Sequence, residues 1–199
     1  MIEITRNGEV YELRLSEPCA APPAVLYELL TDLRTHMDWG GSWHPTRTQR
    51  LLSMEAPEGP ATVGMEFVST GSAGGGCWYD RSRVIAATPP ALFEFETHGQ
   101  LRDAQGNERM LLHAVHRYDL VAGEGETLLT YTCKARLELT PPRGDHHPRL
   151  AAVIFNLVVP SVVERGTRNL VRMAEERAGL AALGAEPAAS VSPLPEGAG

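Results

Sequence analysis

Thr127-Leu128-Leu129-Thr130-Tyr131-Thr132-Cys133-Lys134-Ala135-Arg136-Leu137-Glu138-Leu139 decides the reading of this chain. Leu129, Tyr131, Cys133, Ala135, Leu137 and Leu139 fall on one side of an extended backbone. Thr130, Thr132, Lys134, Arg136 and Glu138 fall on the other. Strict alternation over so many residues predicts a long strand with one buried face and one wet face. Residues 109–121 repeat the pattern upstream, and Gly123-Glu124-Gly125 supplies a turn between the two.

Working outward, strands are predicted at 9–15, 46–55, 63–67, 77–87 and 93–96, seven in all with the two long ones. Residues 99–108 read as a polar hairpin loop, and Gly71 to Gly76 as a turn. Short links between successive strands imply an antiparallel meander. Between the first and second strands, Leu26, Leu29, Leu30, Leu33 and Met37 recur at helical spacing over 24–37, with Asp32 dividing them into two short helices. Pro141-Pro142-Arg143-Gly144 ends the sheet. A long helix is predicted from 148 to 178, kinked at Pro160, with Val162, Gly166, Leu170 and Met173 on one stripe. The fold class is therefore α+β: a seven-stranded antiparallel sheet around a C-terminal helix. One domain covers 1–178, and 179–199, rich in Ala, Gly, Pro and Ser, reads as a disordered tail.

Composition narrows the function. The chain has 199 residues, 43% hydrophobic and 22% charged, with net charge −7. An acidic chain argues against a nucleic-acid partner and against stable membrane insertion. Lys134 is the single lysine, so a lysine-dependent mechanism has one candidate. Cys19, Cys77 and Cys133 are far apart and odd in number, which fits a reducing, cytoplasmic compartment. Residues 1–6 lack the apolar core of a secretory signal. Eleven of the fourteen residues from Leu150 to Val163 are apolar and point all round the helix axis, so that segment predicts a lid over the sheet or a contact with a second copy in a homodimer.

The order of elements resembles the helix-grip fold of the SRPBCC superfamily. That group includes the birch-pollen allergen, the steroidogenic acute regulatory lipid-transfer domains and the polyketide cyclase/dehydrase-like proteins. The resemblance rests on Ala24 to Asp32, Val63 to Phe67, Asp80 to Pro90 with Phe93-Glu94-Phe95, His116 to Leu120, and Glu126 to Thr132. His36-Met37-Asp38-Trp39-Gly40-Gly41 is similar to a sequence of an actinobacterial-type branch. The resemblance covers roughly 9–178. It implies an apolar pocket between sheet and helix, in a group that contains binders, transfer proteins and enzymes.

Strand parity then nominates residues. Phe93 and Phe95 face inward if Glu94 and Glu96 face water. Leu112, Ala114, His116, Tyr118 and Leu120 form the next inward set, and Trp78, Asp80, Ser82 and Val84 another. The polar candidates for acid–base chemistry are Asp80, His116, Tyr118 and Tyr131. A buried aspartate is a base with a raised pKa, histidine shuttles protons, and a tyrosine can donate to an enolate oxygen. The competing expectation is that these groups satisfy one another inside the fold. The apolar lining adds Trp39, Trp43, Phe67, Trp78, Ile154 and Val158, with His44 beside the two tryptophans.

No cofactor and no metal site are predicted. His113 and His116 point to opposite faces of one strand, and Asp145-His146-His147 reads as an exposed loop. Gly71 to Gly76 leads into no helix, so it is not a phosphate loop. The sequence predicts a carrier or sensor of a small hydrophobic molecule. The alternatives are a polyketide cyclase or dehydratase, and a protein-interaction module like the stress-chaperone activators.

Overall fold

The computed structural model describes residues 2–42, 49–73, 75–139 and 159–184. Eight strands form one antiparallel sheet: β1 (Ile2–Asn7), β2 (Val10–Cys19), β3 (Gln49–Glu55), β4 (Glu66–Ala73), β5 (Gly76–Thr88), β6 (Leu92–Arg102), β7 (Glu108–Ala122) and β8 (Thr127–Leu139). Their spatial order is β1-β2-β8-β7-β6-β5-β4-β3. Helix α1 (Pro23–Thr31) follows β2, and helix α2 (Val159–Gly184) follows the sheet.

The sheet has eight strands rather than the expected seven. The addition is β1, which pairs with β2 through Asn7↔Val10 and Ile4↔Leu13. Only Ile2 and Ile4 supply its apolar alternation, too few to register as a period. The turn beside it is the better signal: Asn7-Gly8 opens a two-residue hairpin loop, and Gly8 has φ 63°, a conformation glycine reaches without penalty.

Strand β4 also differs from expectation. It starts at Glu66 rather than Val63, which is exposed, and it runs through Gly71 into the stretch read as a turn. Gly71 lies opposite Trp78, and a Cβ there would overlap the indole ring. The glycine belongs to the strand because the neighbouring ring needs its space. Gly75, with φ 84°, is the turn residue described before Gly76. At the same end of the sheet, the polar hairpin between β6 and β7 is tighter than 99–108. Asp103 accepts from the backbone N–H groups of Gln105 and Asn107, which closes it between Arg102 and Glu108.

Helix α1 opens on Pro22-Pro23, where a missing N–H is harmless, and stops as expected at Asp32. That residue leaves helical geometry at φ −78°, ψ 88°, and its carboxylate accepts from Arg34 N–H. A 3₁₀ turn, Leu33–Thr35, and a π turn, Asp38–Ser42, follow. Helix α2 reaches Gly184, six residues beyond the expected end. Its Gly166, Thr167, Leu170 and Ala174 are buried, while Arg168 and Arg172 pair with Glu164 and Glu176 along its surface. The expected start at 148, the segment Leu150 to Val158 and the tail from 185 lie outside the described residues. So do Trp43, His44, Ile154, Val158 and the 145–147 cluster. No described helix is long and apolar enough to cross a membrane.

The core lies between the sheet's inner face and the two helices. Helix α1 packs over β6 and β7, and α2 packs over β2, α1 and the π turn. Leu13, Leu15, Leu26, Leu30, Phe93, Leu129 and Leu170 are all sealed from water there.

Candidate functional site

Sheet register arranges the inner-face side chains in rows. Leu15, Tyr131, Tyr118 and Phe93 form one row across β2, β8, β7 and β6. Leu13, Cys133, His116, Phe95 and Val84 form the next. Further along come Leu137, Leu112, Gly99 and Asp80, and then Leu139, Met110, Leu101 and Trp78. The parity expected for β5 to β8 therefore holds, the stretch 77–84 included. There Trp78, Asp80, Ser82 and Val84 lie inward, while Cys77, Tyr79, Arg81 and Arg83 are exposed.

The two ends of this face differ. Towards α1 it is a solid aromatic cluster. His36 lies 4.5 Å from Trp39, Phe95 lies 5.3 Å from Phe67 and 4.7 Å from His116, and Tyr118 lies 4.9 Å from Tyr131, all between ring centroids. Trp39, Phe67, Phe93, Phe95, Tyr118 and Tyr131 are buried by one another. Towards the Leu139 end, Trp78, Leu101, Met110, Leu112, Leu137 and Leu139 are only half-buried although they point inward.

The polar candidates divide in the same way. His116, Tyr118 and Tyr131 come together in the cluster, with His116 Nδ1 2.7 Å from the Tyr131 hydroxyl. Burial drives the His116 pKa down to about 4, and the nearby His36 adds to the effect. The ring is neutral at pH 7. Burial also raises the tyrosine hydroxyls and pushes the Cys133 thiol, within hydrogen-bonding reach of Tyr131, up to about 11. We assign the Tyr131 O–H as donor to Nδ1, which puts the imidazole proton on Nε2. That N–H has no side-chain partner among the described residues.

Asp80 does not join this group. It sits two strands over and four residues along from the His116 row, on the order of 15 Å away at strand spacings. Its carboxylate lies over Gly99, where a Cβ would collide with Oδ1 and press on Leu112. Among the described residues it has no hydrogen-bond or ion-pair partner, and burial raises its pKa to about 6. Lys134 lies on the outer face beside Glu12, far from either group.

His36 is the residue that sequence reasoning missed. It is buried against Trp39, Phe67 and Phe95. Its Nε2–H donates to Leu30 O at 2.9 Å, and burial lowers its pKa to about 4. Its spacing three residues before Trp39, in a stretch otherwise read for resemblance, was the available signal. Two indole N–H groups, of Trp39 and Trp78, are buried without hydrogen-bond partners among the described residues. A separate open depression of about 490 Å³ lies where β3 meets β4, β5 and β6. It is lined by Leu52, Thr70, Tyr79 and Gln100 among others, and it shares only Trp78 with the expected lining.

No protein-family profile matches the sequence, and no curated protein matches it. Solved structures do. A conserved protein from Geobacillus kaustophilus aligns with TM-score 0.59 at 14% identity, over 83% of this chain and 95% of that one. A Rhodobacter sphaeroides protein aligns with TM-score 0.54 at 20% identity, over 92% and 99%. The major latex-like protein 151 of Panax ginseng aligns with TM-score 0.53 at 12% identity, over 84% and 99%. At these identities the likeness establishes the fold. It is the helix-grip arrangement of one antiparallel sheet with a long C-terminal helix.

Proposed function

We propose that this protein binds a small hydrophobic or aromatic molecule at the half-open end of the inner face, as a carrier or sensor. The observation behind the reading is the contrast between the two ends. Six inward-pointing apolar side chains stay half-exposed, whereas Val84, Phe93, Phe95, Ala114, Leu120, Leu129 and Cys133 on the same face are buried. An apolar occupant would remove them from water. Covering about 300 Å² of apolar ligand surface supplies roughly 7.5 kcal/mol before association costs, enough for micromolar binding with no catalytic group.

The ligand would lie on Trp78, Leu101, Met110, Leu112 and Leu137, with one polar group directed at Asp80. A hydroxyl donor suits an unpartnered carboxylate in that position. Titration with 2-naphthol, followed by tryptophan fluorescence, tests the reading. Saturable quenching that Leu112→Trp abolishes supports it. Quenching that is linear in ligand, or unchanged by that variant, rejects it.

One observation favours a second reading, a cyclase or dehydratase. The carboxyl of Asp80 has its pKa near 6 with no counter-charge, the profile of a general base working near neutral pH. The His116–Tyr131 pair adds little to it, being distant and neutral. Asp80→Asn separates the readings. A carrier keeps its ligand, whereas an enzyme keeps the ligand and loses turnover.

A further inference from the structure

The outer face of the sheet brings together three groups that lie apart in sequence. His98 on β6 and His113 on β7 are direct cross-strand partners. Their ring centroids are 4.6 Å apart and their planes 29° from parallel. Glu96 lies two residues before His98, so its side chain leaves β6 on the same face. One ligand atom from each of the three falls within 4.8 Å of the others. Both imidazoles are exposed.

We propose that Glu96, His98 and His113 form a binding site for a divalent transition ion of the zinc or copper class. Two imidazoles and a carboxylate are the donor set such ions prefer. Calcium and magnesium, which want several oxygens, are poorly served by it. With metal–ligand bonds of about 2.0–2.1 Å, ligand atoms in a tetrahedral site stand roughly 3.3 Å apart. Closing from 4.8 Å takes side-chain rotation alone, and solvent-facing rings are free to make it. Three protein ligands leave a coordination position open to water.

The surroundings include positive charge. Arg81 is the cross-strand neighbour of His98, Arg136 that of His113, and Arg83 that of Glu96. Arg136 is turned to Glu9 at 2.6 Å and also meets Glu138, which offsets its charge. Val115, on the other side of Glu96, offers no competing donor. A bound ion would join β6 to β7 from outside, opposite the aromatic cluster.

The test is calorimetric titration of the chelator-stripped full chain with Zn(II), alongside electron paramagnetic resonance with Cu(II). The expected result is one ion per chain and nitrogen hyperfine coupling from two imidazoles. His98→Ala and His113→Ala should each weaken binding at least tenfold, and the double variant should abolish it. Both histidines are exposed, and circular dichroism checks that the variants fold. His146→Ala/His147→Ala controls for the loop cluster and should leave the affinity unchanged. Binding that survives in the His98→Ala/His113→Ala variant, or is lost in the loop control, overturns the proposal, as does the absence of binding.

Discussion

His116 Nδ1 and the Tyr131 hydroxyl, 2.7 Å apart on neighbouring strands, are hydrogen-bonded to each other inside the aromatic cluster. Removing one partner leaves the other buried and unsatisfied, a penalty of about 1–3 kcal/mol. Tyr131→Phe should therefore lower the unfolding free energy by that amount, seen as a lower urea midpoint with no change in the denaturant slope. An unchanged midpoint would mean that the bond contributes nothing.

Acid should destabilise the fold through the two histidines of the aromatic cluster. His36 and His116 have folded-state pKa values of about 4, against roughly 6.5 when unfolded. Between those values the unfolded chain binds more protons, so stability falls as pH drops from about 6.5 towards 4. His116→Gln should flatten this acid limb by about one proton, read from urea midpoints at pH 8, 6.5 and 5. The same slope in the variant and the parent protein would refute the assignment.

Asp80 acts in the opposite sense. Its pKa is about 6 in the fold and roughly 3.9 when unfolded. Its protonated form is favoured by folding, and that contribution disappears as pH rises through 6. Asp80→Asn removes the buried charge and should stabilise the protein by about 1–3 kcal/mol at pH 8, with little effect at pH 4. Thermal melts at the two pH values decide it. Equal shifts at both would show that the carboxylate is not strained by burial.

Gly71→Ala should be costly. The new methyl group would meet both the Trp78 ring and the Arg50 carbonyl oxygen, and overpacking of this kind costs about 1–3 kcal/mol. Gly8 has nothing within reach of a Cβ, but its φ of 63° resists side chains, so Gly8→Asn should be tolerated better than Gly8→Val. Melting temperatures of the three variants test both statements.

The sequence made the long alternating strands legible because period-2 patterning survives wherever one face is buried. Residues 109–139 and the inward parity of Phe93, Phe95, His116 and Tyr131 all came from that signal. The break at Asp32 was also read from the sequence, and the structure shows its physical basis, a carboxylate that accepts from Arg34 N–H. Strand β1 was not, since an edge strand with two apolar residues has almost no pattern, and Gly71 concealed the length of β4. Parity also states only which face a residue occupies. It could not show that Asp80 stands far from His116, that His36 enters the cluster, or that His98 and His113 meet across two strands. Those facts depend on register, which the sheet sets as a whole.

Whether the half-open end of the inner face holds a small molecule is settled most directly by native mass spectrometry of freshly purified protein. The expected spectrum carries a mass excess of a few hundred daltons that vanishes on denaturation and is absent from Leu112→Trp. A chain that always flies at its bare sequence mass, and that takes up no aromatic probe when one is supplied, would contradict it.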